Sequence, residues 1–158
     1  MATSTKPKKL SPEMQRMVDS FKPMGEYMAQ EAAKISTSPE WIRGIQQQFE
    51  NFMKAGLFLQ PKQIEFALKC RECDRRDEDA PSSVMFSGGR GSAKSHGGAA
   101  QVFADDCQRR PELKVLYLRK ISKAIEEQIN DLRKSVLHSI PHEYIGSKKR
   151  IEIGTAHV

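Results

Sequence analysis

The sequence predicts an α/β protein in which a parallel-sheet core follows an α-helical amino-terminal segment. In the first half, apolar residues recur at helical spacing behind proline-led helix starts. In the second half, short apolar runs alternate with amphipathic stretches in the order strand, helix, strand, helix, strand. The expected divisions are a disordered leader over residues 1–10, the helical segment over 11–56 and the partial core over 57–158.

Two short signatures begin the predicted helices of the amino-terminal segment. Ser11-Pro12-Glu13 and Ser38-Pro39-Glu40 each combine a capping serine, a proline suited to the first helical position and an acid near the positive helix end. We expect Pro23 and Gly25 to interrupt the first helix, because proline lacks a backbone N–H and glycine favours other conformations. A third helical segment begins at Pro61.

The second half of the sequence, from residue 83 onwards, contains three predicted strands and two predicted helices. The strands lie over residues 83–87, 112–119 and 150–153, and the helices lie over 94–108 and from Ser122 onwards. The helix over 94–108 contains many small residues, which suit close packing on a sheet. This alternation is typical of a parallel sheet with helices on its faces.

The most specific motif is the loop Gly88-Gly89-Arg90-Gly91-Ser92-Ala93-Lys94-Ser95. The phosphate-binding template is glycine, four variable residues, glycine, lysine and serine or threonine, and here Ala93 replaces the second glycine. Glycines let backbone N–H groups turn towards a phosphate, and the helix that starts near Lys94 points its positive end at the same anion. The loop therefore predicts ATP binding, with Lys94 on the terminal phosphates and the Ser95 hydroxyl on Mg²⁺. The alternative is a glycine-rich turn with a purely structural role.

The arginine within this loop is the second candidate catalytic residue beside Lys94. Arg90 would either neutralise charge that develops on the γ-phosphate or contact a neighbouring subunit. The alternative is an ordinary exposed loop arginine.

Charge and cysteine content restrict the class of protein further. The 158 residues carry 26 Lys and Arg against 20 Asp and Glu, and residues 108–150 hold 11 basic against 5 acidic side chains. This stretch indicates either a polyanion partner such as nucleic acid or a solvated face. The chain shows neither an apolar run of about 18 residues for a membrane span nor a secretory signal. Three cysteines favour a reducing compartment, and Cys70 and Cys73 lack the further ligands of a zinc site, so we interpret them as ordinary thiols.

The loop and its surroundings resemble the large subunit of tailed-bacteriophage terminases, the ATP-driven motors of DNA packaging. The loop is similar to the deviant Walker A motif of that family, in which an arginine lies between glycines and alanine before the lysine is tolerated. Residues 59–66 resemble its adenine-reading Q motif, in which Gln63, 25 residues before Gly88, would pair with the base. The alternative, which Gln63 alone would favour, is an exposed polar helix residue without a binding role. Residues 115–120 resemble the second core strand, where Arg119 and Lys120 either contact DNA or are surface charges.

The resemblance covers about residues 57–153 and implies an incomplete P-loop NTPase core of the RecA/ASCE-like type, with ATP and Mg²⁺ as cofactors. It implies double-stranded DNA, the terminase small subunit and the portal protein as partners, and a homo-oligomeric ring in the full-length family. The implied location is the cytoplasm of a bacterial host, not the secreted fraction. Because the family's Walker B acids and nuclease domain are not found in this sequence, we expect ATP binding with little turnover. The alternatives are another P-loop ATPase such as a RecA-like helicase, or a non-catalytic module that binds nucleotide or DNA.

Overall fold

The computed structural model describes residues 11–75, 78–89, 93–116, 122–148 and 150–153, and within them the fold is mainly helical. The elements in chain order are α1 (Pro12–Ile35), α2 (Pro39–Lys54), α3 (Pro61–Glu72), α4 (Lys94–Ala99), a π-helical stretch (Ala100–Asp106), α5 (Cys107–Arg109), α6 (Ser122–Ser135), β1 (Glu143–Ile145) and β2 (Arg150–Glu152). Short 3₁₀ turns lie at Cys73–Arg75 and Gly146–Lys148. None of the helices in this part of the chain has the length and apolar character that a bilayer crossing requires.

The predicted parallel-sheet core of a P-loop NTPase is wrong. The sheet found within the described ranges has two strands, β1 and β2, which pair antiparallel with Tyr144 opposite Ile151. Residues 83–87 and 112–116 are neither helix nor strand, and Met85 is 91% exposed and Leu116 80%. A buried strand needs neighbours that complete its backbone hydrogen bonds, and these two segments pair with no strand among the described residues. The rest of the second predicted strand, residues 117–119, lies outside the described residues.

Helices α1, α2 and α3 form what we call the amino-terminal helical layer, and both of its predicted serine caps are confirmed. The Ser11 hydroxyl accepts a hydrogen bond from the Met14 N–H at 3.3 Å, and the Ser38 hydroxyl accepts one from the Trp41 N–H at 3.2 Å. Each bond satisfies an N–H group that has no partner within its own helix. The caps therefore fix where α1 and α2 begin.

The expected interruption of α1 is wrong, because the helix continues through Pro23 and Gly25 to Ile35. From Phe21 onwards one face of α1 is buried, at Phe21, Met24, Met28 and Ala32, whereas residues 12–20 are exposed. A Cβ atom at Gly25 would lie 2.8 Å from the ring of Phe49 in α2, so the glycine allows the two helices to approach closely. Most helical stability in proteins comes from such packing, which here outweighs the hydrogen bond that Pro23 cannot make.

The helical run from Lys94 to Arg109 packs on α2 and α3. The predicted helix over residues 94–108 is thus confirmed. The prediction that it packs on a sheet is wrong, because it packs on helices. Its small side chains Ala99, Ala100 and Ala104 are buried in this packing. The predicted helix from Ser122 and the predicted strand at 150–153 are confirmed as α6 and β2, although β2 pairs antiparallel with β1.

Candidate functional site

The candidate phosphate-binding loop leads directly into α4. Helix α4 begins at Lys94, as predicted, and Ala93 before it has a left-handed φ of 51°. This conformation is one that glycine adopts readily and alanine does not, because the alanine Cβ crowds the backbone. The remaining loop residues named from the motif, Arg90, Gly91 and Ser92, lie outside the described residues.

The Lys94 side chain folds back over the two glycines that open the loop. Its Nζ donates hydrogen bonds to the Gly88 carbonyl at 2.6 Å and to the Gly89 carbonyl at 2.7 Å. Lys94 is partly buried, and both bonds lie on the exposed side of the described residues. The structure therefore brings a positive charge to the amino-terminal end of a helical run, a combination that favours anions such as phosphate.

Gln63 lies in the first turn of α3, and its side chain contacts the end of this loop at Ala93. Its side chain is buried, with 3% of the residue exposed. Its Nε2 donates to the Ala93 carbonyl at 2.9 Å, and its Oε1 accepts from the Gln60 N–H at 2.8 Å. The structure therefore joins Gln63 to the loop, and the alternative of an exposed polar helix residue is wrong.

Beside the loop, a groove of about 470 Å³ opens between α1, α3 and residues 84–87. The rings of Phe66 and Phe86 stack there with centroids 4.8 Å apart. Lys62 pairs with Glu65 at 2.7 Å along the same groove. The stacked rings attach the chain just before Gly88 to α3, and they thereby help to hold the loop against the amino-terminal helical layer.

The helical run from Lys94 to Arg109, which we call the loop helix, is joined to α2 by a buried polar network that the sequence did not reveal. Asp105 is fully buried and accepts hydrogen bonds from Asn51 Nδ2 and Gln101 Nε2, each at 3.0 Å. Gln48 is also fully buried and donates to Gln101 Oε1 at 2.9 Å and to the Ala67 carbonyl at 3.1 Å. The available signal was Gln48 itself, a polar residue at helical spacing within the apolar face of α2.

Arg109 connects this network to the carboxylates around it. The guanidinium is 9% exposed and lies 3.0 Å from Asp74, 3.1 Å from Asp105 and 2.6 Å from Asp106. Burial disfavours its charge, but the neighbouring carboxylates outweigh this and raise the pKa of Arg109. Burial raises the pKa of Asp106. The network joins the carboxyl-terminal end of the loop helix to α2 and to the 3₁₀ turn after α3.

The three cysteines are free thiols, and each is partly buried. Burial raises the pKa of the Cys70 thiol to about 12 and also raises the pKa of Cys73. A redox-active pair requires the opposite shift, because the thiolate is the reactive form. Across the described ranges, no group of three or more His, Cys, Asp and Glu side chains is arranged to hold a metal ion.

The predicted DNA-contacting residues Arg119 and Lys120 lie outside the described residues. Comparisons of the chain with protein-family models, with curated proteins and with solved structures find no match. The loop and the residues that contact it are therefore the features of this chain that point to a function.

Proposed function

We propose that this protein binds ATP with Mg²⁺ through the loop from Gly88 to Ser95, as the ATP-binding part of a viral terminase large subunit. The observation that carries the proposal is the placement of Lys94 Nζ over the Gly88 and Gly89 carbonyls. A lysine ammonium group, a glycine-rich turn and a helix start converge at that point, as recognition of a polyphosphate requires. The proposal depends on this loop and not on a parallel-sheet core.

The chemistry of the donor set fits the proposed ligand. Lys94 would exchange the two glycine carbonyls for phosphate oxygens, which are stronger partners for an ammonium group because they are charged. Ser95 is the second residue of α4 and is half-buried, and its hydroxyl would hold Mg²⁺. Bound Mg²⁺ supplies charge neutralisation of the terminal phosphates.

The wider part of the proposal is supported by the resemblance of the sequence motifs to those of terminase large subunits. It assigns double-stranded DNA, the terminase small subunit and the portal protein as partners in a ring within the cytoplasm of a bacterial host. Arg90 would act on the γ-phosphate, and Arg119 and Lys120 would contact DNA. The basic residues between 108 and 150 supply the positive charge that a DNA partner needs.

Thermal unfolding with and without ATP and Mg²⁺ tests the central claim. A ligand that binds only the folded state stabilises it by about 2.7 kcal/mol at a hundred times its Kd, so we expect a rise in Tm at millimolar ATP. Lys94→Ala should remove this rise, whereas Lys22→Ala, which changes an exposed lysine of α1, should keep it. The proposal is wrong if the wild-type Tm does not respond to ATP, or if Lys94→Ala responds equally.

A further inference from the structure

We propose that Gln63 is a positioning residue of the phosphate-binding loop, which acts on Ala93 and not on the base of the nucleotide. This inference rests on the proposed function of the loop. It assigns to Gln63 a role different from the adenine recognition that the Q-motif resemblance implies. The amide then controls the affinity for the phosphate groups and leaves the choice of base unchanged.

The amide of Gln63 is already bound at both ends within the protein. Nε2 donates to the Ala93 carbonyl at 2.9 Å and Oε1 accepts from the Gln60 N–H at 2.8 Å. Pairing with adenine requires the base edge within about 3 Å of both amide atoms. With 3% of the residue exposed, the described structure offers no approach for a base to that position.

Close packing holds the aliphatic part of the same side chain. A Cβ atom at Gly97 of α4 would lie 3.0 Å from Gln63 Cγ and 3.3 Å from the ring of Phe86. Helix α4 therefore approaches Gln63 at a distance that only glycine permits without displacement of the side chain. The amide is held at one end by Gln60, the residue before α3, and at the other end by Ala93, the residue before α4.

The loop needs such a contact because Ala93 is in a conformation that alanine seldom adopts. A non-glycine residue at a φ of 51° is retained only where its surroundings determine it. The Ala93 carbonyl accepts from Gln63 Nε2 and also from the Gly97 N–H at 3.0 Å, which begins the hydrogen bonding of α4. Gln63 therefore fixes the peptide directly before Lys94, and with it the position from which the lysine side chain extends.

Titration calorimetry with three probes distinguishes loop positioning from base recognition. The probes are ATP, GTP and inorganic tripolyphosphate, each with Mg²⁺, and the variant is Gln63→Met, which keeps the length of the side chain. We expect the Kd for all three probes to rise by the same factor, about tenfold, because a hydrogen bond to the loop is lost and no base contact is involved. Gln48→Met is the matched control, since it removes another buried amide that does not contact the loop, and its Kd values should equal those of the wild type. A loss confined to ATP, with tripolyphosphate unaffected, would overturn the proposal.

A second pair of variants keeps the test valid if Gln63→Met does not fold. Gly97→Ala should displace Gln63 and lower the affinity for all three probes. Gly98→Ala changes the next residue of α4, where an added Cβ has nothing within 4 Å, and should bind the probes as the wild type does. Equal affinities in Gly97→Ala and Gly98→Ala would contradict the positioning role.

Failure of the wild type to bind any probe would overturn the proposed function instead. Amide hydrogen exchange at Gly97, whose N–H donates to the Ala93 carbonyl at 3.0 Å, then decides the role of Gln63 without a ligand. Faster exchange at this amide in Gln63→Met than in Gln48→Met supports loop positioning, and equal exchange overturns it.

Discussion

Apolar side chains differ in exposure between the amino-terminal helical layer and two non-helical segments, residues 83–87 and 112–116. Phe52 and Ile64 in the layer are 0% and 2% exposed, whereas Met85 and Leu116 in the segments are 91% and 80% exposed. A helix completes its backbone hydrogen bonds within one segment and needs only a second surface to cover its apolar face. A strand needs a hydrogen-bonded partner elsewhere in the chain as well. The difference shows that an apolar run becomes core only when another element completes it.

The largest expected effect comes from removing a ring in the helical layer. Phe52→Ala should lower the free energy of unfolding by about 4 kcal/mol, because a fully buried ring is replaced by a cavity. Met85→Ala removes an exposed side chain and should change the free energy of unfolding by less than about 0.5 kcal/mol. Equilibrium unfolding in urea measures both values. A loss above about 2 kcal/mol for Met85→Ala would show that the Met85 side chain is packed in solution and would remove the contrast.

A somewhat smaller effect is expected where the loop helix is joined to the helical layer. Asp105→Ala should lower the free energy of unfolding by about 3 kcal/mol, because Asn51 and Gln101 lose a buried acceptor and Arg109 loses one of its carboxylates. Asp79→Ala, which changes an exposed carboxylate, is the control and should be nearly neutral. Chemical denaturation compares them, and equal stability of the two variants would show that the network does not hold the loop helix in place.

The smallest effect is expected at a helix cap. Ser38→Ala should lower the free energy of unfolding by about 1 kcal/mol, since the Trp41 N–H loses its acceptor. Ser83→Ala, an exposed serine at the start of a non-helical segment, should stay within about 0.5 kcal/mol of the wild type. A matched pair of melting curves decides the point, and a neutral Ser38→Ala would mean that packing of α2 alone sets where the helix begins.

The sequence predicted helices more accurately than strands, and the reason is the range of the interactions involved. The caps at Ser11 and Ser38 and the helix start at Lys94 depend on neighbouring residues, and the structure confirms all three. The break expected at Pro23 is absent because α1 is packed against α2, a contact between residues far apart in the chain. The strands at 83–87 and 112–119 were predicted from apolar content without a known partner, and the described part of each is not a strand.

The candidate site was predicted in part. The motif located Lys94 at the loop and indicated that Gln63 belongs near it, and the structure brings both residues to Ala93 and its neighbours. The burial of Gln63 and the network around Asp105 were not predictable, because each depends on which side of one helix faces another.

By itself, the sequence determined where α1, α2, α3 and α4 begin and which eight residues form the candidate phosphate loop, since capping and loop motifs act over a few neighbouring residues. Only the tertiary structure decided that α1 continues through Pro23, that the helix after the loop packs on helices, and that Gln63 contacts Ala93 and not solvent. Those outcomes depend on contacts between distant segments, whose free energy exceeds the local preferences of the residues concerned.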